Sequence, residues 1–252
     1  MVSRSGRAKH GLLECIIEIG MEVEFLKKIV QEAEEISRRN FEVHEKGDEG
    51  DLVTNLDVEI ERFLIARIKE EYPDYAIVSE ESNADKTVTD NCFIIDPIDG
   101  TINFANGLPL WGTQIACCKN GKTVASVINL PKIGEFYYAD ETGAYLNGQK
   151  ITVREVPVKN AIYAMIGHGV IGAAEKAQRY SRNYREFGAT CVALAFLASG
   201  KIHGVSFMID QPWDYVPGLF LCKKAGAKVE SIDGFHAGAM NQEFLDILKD
   251  CC

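Results

Sequence analysis

The sequence predicts an α+β half followed by an α/β half, and three observations carry that prediction. Two amphipathic helical stripes come early in the chain. Short apolar runs alternating with turn residues fill 113–153. From about residue 160, strand-like runs alternate with helical ones. The change of pattern puts a boundary near residue 154. Residues 1–20 then read as an N-terminal extension, 21–153 as the first half and 154–252 as the second.

The elements follow in order. Over 22–39, Leu26, Ile29, Val30, Ala33 and Ile36 recur at helical spacing with Glu and Lys between them. Residues 44–51 are polar and carry Gly47 and Gly50, which predicts a mobile loop. Thr54 to Asp57 resembles a capping box, opening a second helix whose stripe is Ile60, Phe63, Leu64 and Ile68. Tyr72-Pro73-Asp74 ends it. The apolar runs 75–78 and 92–95 read as buried strands. Turns at 119–122, 131–134 and Asn147-Gly148 divide 113–153 into an antiparallel meander. Further strands are predicted over 161–166, 202–208 and 227–231, and helices over 189–198, 215–225 and 241–249.

Composition narrows the function. The 252 residues carry a net charge of −10, from 27 basic and 37 acidic side chains. That balance argues against a broad nucleic-acid surface. The eight cysteines show no Cys-x-x-Cys spacing and several sit in apolar runs, which predicts a reducing, cytoplasmic setting. The five histidines lack metal-ligand spacing, so zinc is not expected. Near the N-terminus, Glu14 and Glu18 interrupt what would otherwise be a signal-like apolar run. No eighteen-residue apolar stretch predicts a membrane span.

The chemistry centres on Asp96-Pro97-Ile98-Asp99-Gly100-Thr101, directly after the apolar run 92–95. Asp-Pro and Asp-Gly are ordinary turn formers. The same segment also offers two carboxylates and a carbonyl to a hard divalent cation, and backbone N–H groups at a helix start to a phosphate. Glu80-Glu81 after one apolar run and Trp213-Asp214 at a helix start supply further acids.

Four ordered segments resemble the inositol monophosphatase family: Asp51-Leu52-Val53-Thr54 with Asp57; Ser79 to Ser82; Asp96 to Phe104; and Trp213-Asp214 with Gly218 and Ala225-Gly226. The resemblance runs from about residue 21 to the end. It implies a layered α-β-α-β-α sandwich, a lithium-sensitive Mg²⁺-dependent phosphatase, and a homodimer. Glu80, Asp96 and the carbonyl of Ile98 would hold one metal ion. Asp96, Asp99 and Asp214 would hold a second. Gly100 and Thr101 would receive the phosphate, and Thr101, bonded to Asp57, would activate water together with Glu80. The implied substrate contacts are Glu80, Ile98, Asp99, Gly100, Thr101, Asp214 and the segment Gly188, Ala189, Thr190. Lys46 matches a lysine near a metal loop. Glu81 is either a supporting acid or a solvated one, and Trp213 is expected in the core.

One position departs from the pattern. Inositol-specific relatives carry an acid seven residues before the aspartate matching Asp214. Here that position is Phe207, expected in the pocket wall, where a phenyl ring cannot accept hydrogen bonds. The expected substrate is therefore a small polyol or sugar phosphate rather than inositol phosphate alone. Fructose-1,6-bisphosphate is one alternative. A regulatory or binding member of low turnover is the other, against which all the expected metal carboxylates are present.

Overall fold

The computed structural model describes residues 20–46, 51–167 and 170–252. Helices α1 (Met21–Ser37) and α2 (Asn55–Glu71) form from the two predicted stripes. Their buried faces lie on strands β3 (Ala76–Ser79), β4 (Cys92–Asp99), β5 (Gly112–Lys119) and β6 (Lys122–Leu130). Leu26, Ile29, Leu64 and Ile68 meet Phe93, Ile95, Ile115 and Val127 there. The meander continues through β7 (Glu135–Asp140), β8 (Gly143–Leu146) and β9 (Gln149–Ile151). The resulting seven-stranded sheet runs in chain order, antiparallel except for the parallel pair β3–β4.

The capping box forms. Thr54 N–H donates to Asp57 at 2.8 Å, and Thr54 Oγ1 accepts from Leu56 N–H at 3.2 Å. The loop expected over 44–51 is corrected in part. Val43–Lys46 (β1) pairs antiparallel with Asp51–Thr54 (β2), so its flanks are a two-stranded ribbon. Val43 and Val53 are β-branched, and backbone pairing outweighs the polar composition. Residues 47–50, the side chain of Lys46 and the extension 1–19 lie outside the described residues.

A second sheet holds five strands in the order β11 (Asn183–Arg185), β10 (Ile162–Gly167), β12 (Gly204–Met208), β14 (Phe235–Ala239), β13 (Lys228–Ile232). Between the sheets lie α5 (Thr190–Ala198) and α6 (Pro212–Lys224). Their residues Val192, Leu194, Leu197 and Leu221 pack with Ile128 and Tyr137 of one sheet and Val205 and Phe207 of the other. Helix α7 (Gln242–Cys251) and the short α4 (Val170–Ala177) cover the outer face of the second sheet. The α-β-α-β-α layering implied by the family resemblance is therefore the fold. Helix α5 is nearly apolar all round, as a helix buried on both faces must be, whereas α6 carries Asp214 in its first turn and Lys223 and Lys224 in its last. No described helix is long and apolar enough to cross a membrane.

Candidate active site

The central acids are aimed by an irregularity in β4. Residues three apart on a flat strand point to opposite faces. In β4, Asp96 pairs with Gln114 and Asp99 with Gly112, so β4 holds one more residue than β5 over this stretch. That bulge re-aims the strand, and Thr113 Oγ1 pins it by donating to the Pro97 carbonyl at 2.7 Å. Asp96 and Asp99 thereby reach one cavity. Asp214, in the first turn of α6, arrives from the middle layer. It is not the N-cap, which is Gln211, with Pro212 opening the helix. Asp96, Asp99 and Asp214 each place an oxygen within 4.8 Å of the others.

The cavity measures about 740 Å³. Glu80, Asp96, Ile98, Asp99, Gly100, Thr101, Gly188 and Asp214 all line it, and Asp210, Gln211 and Pro212 close one side. Trp213 belongs to the core with Val78, Ile94 and Ala116, as expected, and reaches the cavity as well. Gly100 has φ +89° and caps α3 (Thr101–Ala105). A Cβ there would meet that of Ala189 at 2.9 Å, so only glycine fits this crossing. Asn103 ties α3 to the segment before Gly188, donating to the carbonyls of Leu110 at 2.6 Å and Phe187 at 2.8 Å.

Behind this lining, Thr190 turns away from the cavity and onto Asp99. Its N–H donates at 3.2 Å and its hydroxyl at 2.7 Å. Cys191 N–H and, at 3.3 Å, the Gln114 amide add to them. Ala189 is buried beside Gly100. Asp57 lies on α2 with no exposure. Its Oδ1 faces the Thr101 hydroxyl at 3.3 Å, and that hydroxyl is nearer the Ile98 carbonyl, at 2.9 Å. Burial raises the Asp57 pKa against the hydrogen bonds from Thr54 and Thr101.

Electrostatics mark the cluster. Burial, then the charges of Glu80, Asp99 and Asp214, hold Asp96 well above the ordinary carboxylate range. Burial also raises Asp99, opposed by its donors from Cys191 and Thr190. One Asp96 oxygen is buried with no hydrogen-bond partner. An orphaned carboxylate oxygen among like charges, in an all-oxygen donor set, fits a hard divalent cation.

Phe207 requires a correction. It is 1 % exposed in β12, stacked on His236 with ring centroids 5.4 Å apart, and belongs to the middle-layer core. Strand alternation turns it inward, away from the cavity. The acid on that side is Asp210, on the loop between β12 and α6. Sequence reasoning also missed Gln114 and Glu61. Both left a signal: an amide within the apolar run of β5, and a carboxylate one residue after Ile60 on the buried stripe of α2.

A layered sandwich enclosing a cavity where carboxylates converge has a donor set able to hold a cation. The comparisons give the particular family. The Inositol monophosphatase family matches residues 12–245, taking in residues ahead of Met21. A fructose-1,6-bisphosphatase/inositol-1-monophosphatase of Thermotoga maritima is 33 % identical over 199 residues, 77 % of each chain. The Nus factor SuhB of Escherichia coli is 32 % identical over 209 residues, again 77 % of each. A solved IMPase of Thermotoga maritima superposes with TM-score 0.83 at 26 % identity, covering 91 % of this chain and 96 % of its own. The chain belongs to the inositol monophosphatase family and has the fold and acidic cavity of a phosphatase.

Proposed function

We propose that the protein is a Mg²⁺-dependent phosphomonoesterase for a small polyol or sugar phosphate. The observation that carries this reading is the convergence of Asp96 and Asp99 of β4 with Asp214 of α6, with oxygens within 4.8 Å of one another, where Asp96 also keeps one buried oxygen without a hydrogen-bond partner. Glu80, Asp96 and the Ile98 carbonyl would hold one metal ion, and Asp96, Asp99 and Asp214 would hold another. When bound, such ions neutralise phosphoryl charge and acidify water. Gly100 and Thr101 receive the phosphate at the start of α3. Glu80 orients the attacking water together with the Thr101 hydroxyl. Asp57, its pKa raised by burial, takes the proton relayed through Thr101. Gly188 forms the wall beside the phosphate. Ala189 and Thr190 act from behind it, Thr190 by fixing Asp99.

Asp210, and not Phe207, forms the wall on that side and makes it polar. It is exposed to the cavity, and its carboxylate lies over the tight turn at Gly234. The Ile209 carbonyl beside it is pinned by His236 Nε2 at 2.8 Å. A carboxylate there accepts hydrogen bonds from substrate hydroxyls. Retention of the full carboxylate set favours turnover over the purely regulatory reading. A screen of sugar and polyol phosphates with Mg²⁺ tests the proposal. Turnover abolished by chelator supports it, and undiminished turnover in chelator overturns it.

A further inference from the structure

We propose that Glu61 is the positioning residue that sets Glu80 in the cavity, acting through the backbone after β3. This rests on the reading of Glu80 as a metal ligand. Glu61 lies four residues after Asp57 on α2, so the two side chains leave the same helix face. Their exposures are 1 % and 0 %. Asp57 serves β2 and α3. Glu61 serves a third segment of the site.

Through Oε2, Glu61 accepts the N–H of Glu81 at 2.7 Å, and through Oε1 it accepts the Ser82 hydroxyl. The N–H it holds belongs to the peptide group joining Glu80 to Glu81. The same turn closes on itself. Asn83 N–H donates to the Ser79 carbonyl at 3.3 Å, and its amide donates to Ser79 Oγ at 3.2 Å and to Ser82 Oγ at 3.0 Å. Ser79 is the last residue of β3, so the backbone is fixed on both sides of Glu80. Glu80 lines the cavity, and its charge acts on Asp96.

Among the described residues Glu61 forms no ion pair. A buried carboxylate without a cation is costly unless its hydrogen bonds are well made. Helix α2 therefore carries two buried acids, one helical turn apart, that tie three segments of the site to one rigid element.

The test is Mn²⁺ binding to the whole protein, read by calorimetry or by the free-Mn²⁺ paramagnetic resonance signal. Partners that orient a metal ligand typically alter affinity 10–100-fold. Glu61→Ala, which leaves the Glu81 N–H unanswered, should weaken Mn²⁺ binding at least about 10-fold. Glu61→Gln should stay within about 3-fold of wild type, because its carbonyl can accept from Glu81 and its amide can donate to Ser82. In a Glu80→Gln background, Glu61→Ala should cost no more than about a further 3-fold, since coupled residues are not additive. Glu61→Asp, which keeps the charge but draws the oxygens back by one methylene, should also weaken binding and serves if the alanine variant does not fold.

A folded Glu61→Ala with wild-type affinity, or full additivity with Glu80→Gln, overturns the inference. If wild type binds Mn²⁺ and Glu80→Gln does not weaken it, the ligand role of Glu80 and this inference fall together. If wild type binds no Mn²⁺, the proposed function fails as well.

Discussion

Asp99→Asn separates the two roles of one side chain. Asp99 faces Asp96 and Asp214 with oxygens within 4.8 Å, and it also accepts from Thr190, Cys191 and Gln114. Placed with its carbonyl at the Oδ2 position, asparagine keeps the acceptor for three of these donors. Only Thr190 N–H then faces an amide, a loss of about 1–3 kcal/mol for an unanswered buried group. Against this, two unit charges at such a separation repel by about 3.5 kcal/mol at an effective dielectric of 20. The raised Asp96 pKa means that part of this repulsion is already lessened by proton uptake as pH falls. The two effects are similar in size and opposite in sign, so the metal-free protein should change stability by less than about 2 kcal/mol. The metal-loaded protein should behave differently. At a metal concentration 100 times Kd, binding stabilises by about 2.7 kcal/mol. At about 2–4 °C per kcal/mol for a chain of this size, the melting temperature rises by about 5–11 °C. A 100-fold loss of affinity leaves about 0.4 kcal/mol, a shift of only about 1–2 °C. Thermal scans with and without Mn²⁺, on both proteins, read this directly, and phosphatase activity should fall by about 10³ or more. A metal-dependent shift of wild-type size in Asp99→Asn refutes the shared-ligand reasoning.

Three further outcomes are expected. Phe207→Glu should destabilise the protein by about 4 kcal/mol or more in denaturant titration, because it buries an unpaired charge in the middle layer; a stable variant with altered substrate preference would return position 207 to the pocket. Asp210→Asn should lower kcat/KM for a polyol phosphate about 10-fold while sparing p-nitrophenyl phosphate, whose leaving group has no hydroxyls beyond the ester; equal losses on both count against a hydroxyl contact. His203 is buried with Nδ1 accepting from Ile162 N–H at 2.9 Å, and burial, then Arg154, lowers its pKa. Its contribution to stability is therefore complete above the unfolded value of 6.5 and is lost as pH falls from there through the lower folded value. The melting temperature should drop from pH 7 to 5, and less so in His203→Gln; identical slopes in the two proteins place the acid sensitivity elsewhere.

Much of the fold was legible because its signals are local. The stripes of α1 and α2, the capping box at Thr54 and the Asn147-Gly148 turn are each decided within a few residues. The strand β14 was missed because Phe235-His236-Ala237-Gly238-Ala239 is short and carries glycine and histidine. Its place is set by pairing on both sides, with β12 and β13. The ribbon β1–β2 hides in polar sequence for the same reason. Phe207 failed differently. Counting residues from Asp214 assumes a constant path between strand and helix. The direction of a strand side chain depends on register, and one residue of slip reverses it.

The clustered acids escaped that hazard because the bulge that aims them lies within the motif. Asp96 and Asp99 would point to opposite faces of a regular strand, and the extra residue between them and the pinned Pro97 carbonyl bring both to the cavity. Three like-charged side chains then share a space where burial already disfavours ionisation. The surrounding donors suit that state unevenly. Asp99 is satisfied by Thr190, Cys191 and Gln114, whereas Asp96 keeps a buried oxygen with no partner. A fold that only tolerated these acids would have answered that oxygen or exposed it to water. Crowding these acids together in a buried space is electrostatically unfavourable, and a divalent cation held among them would relieve it.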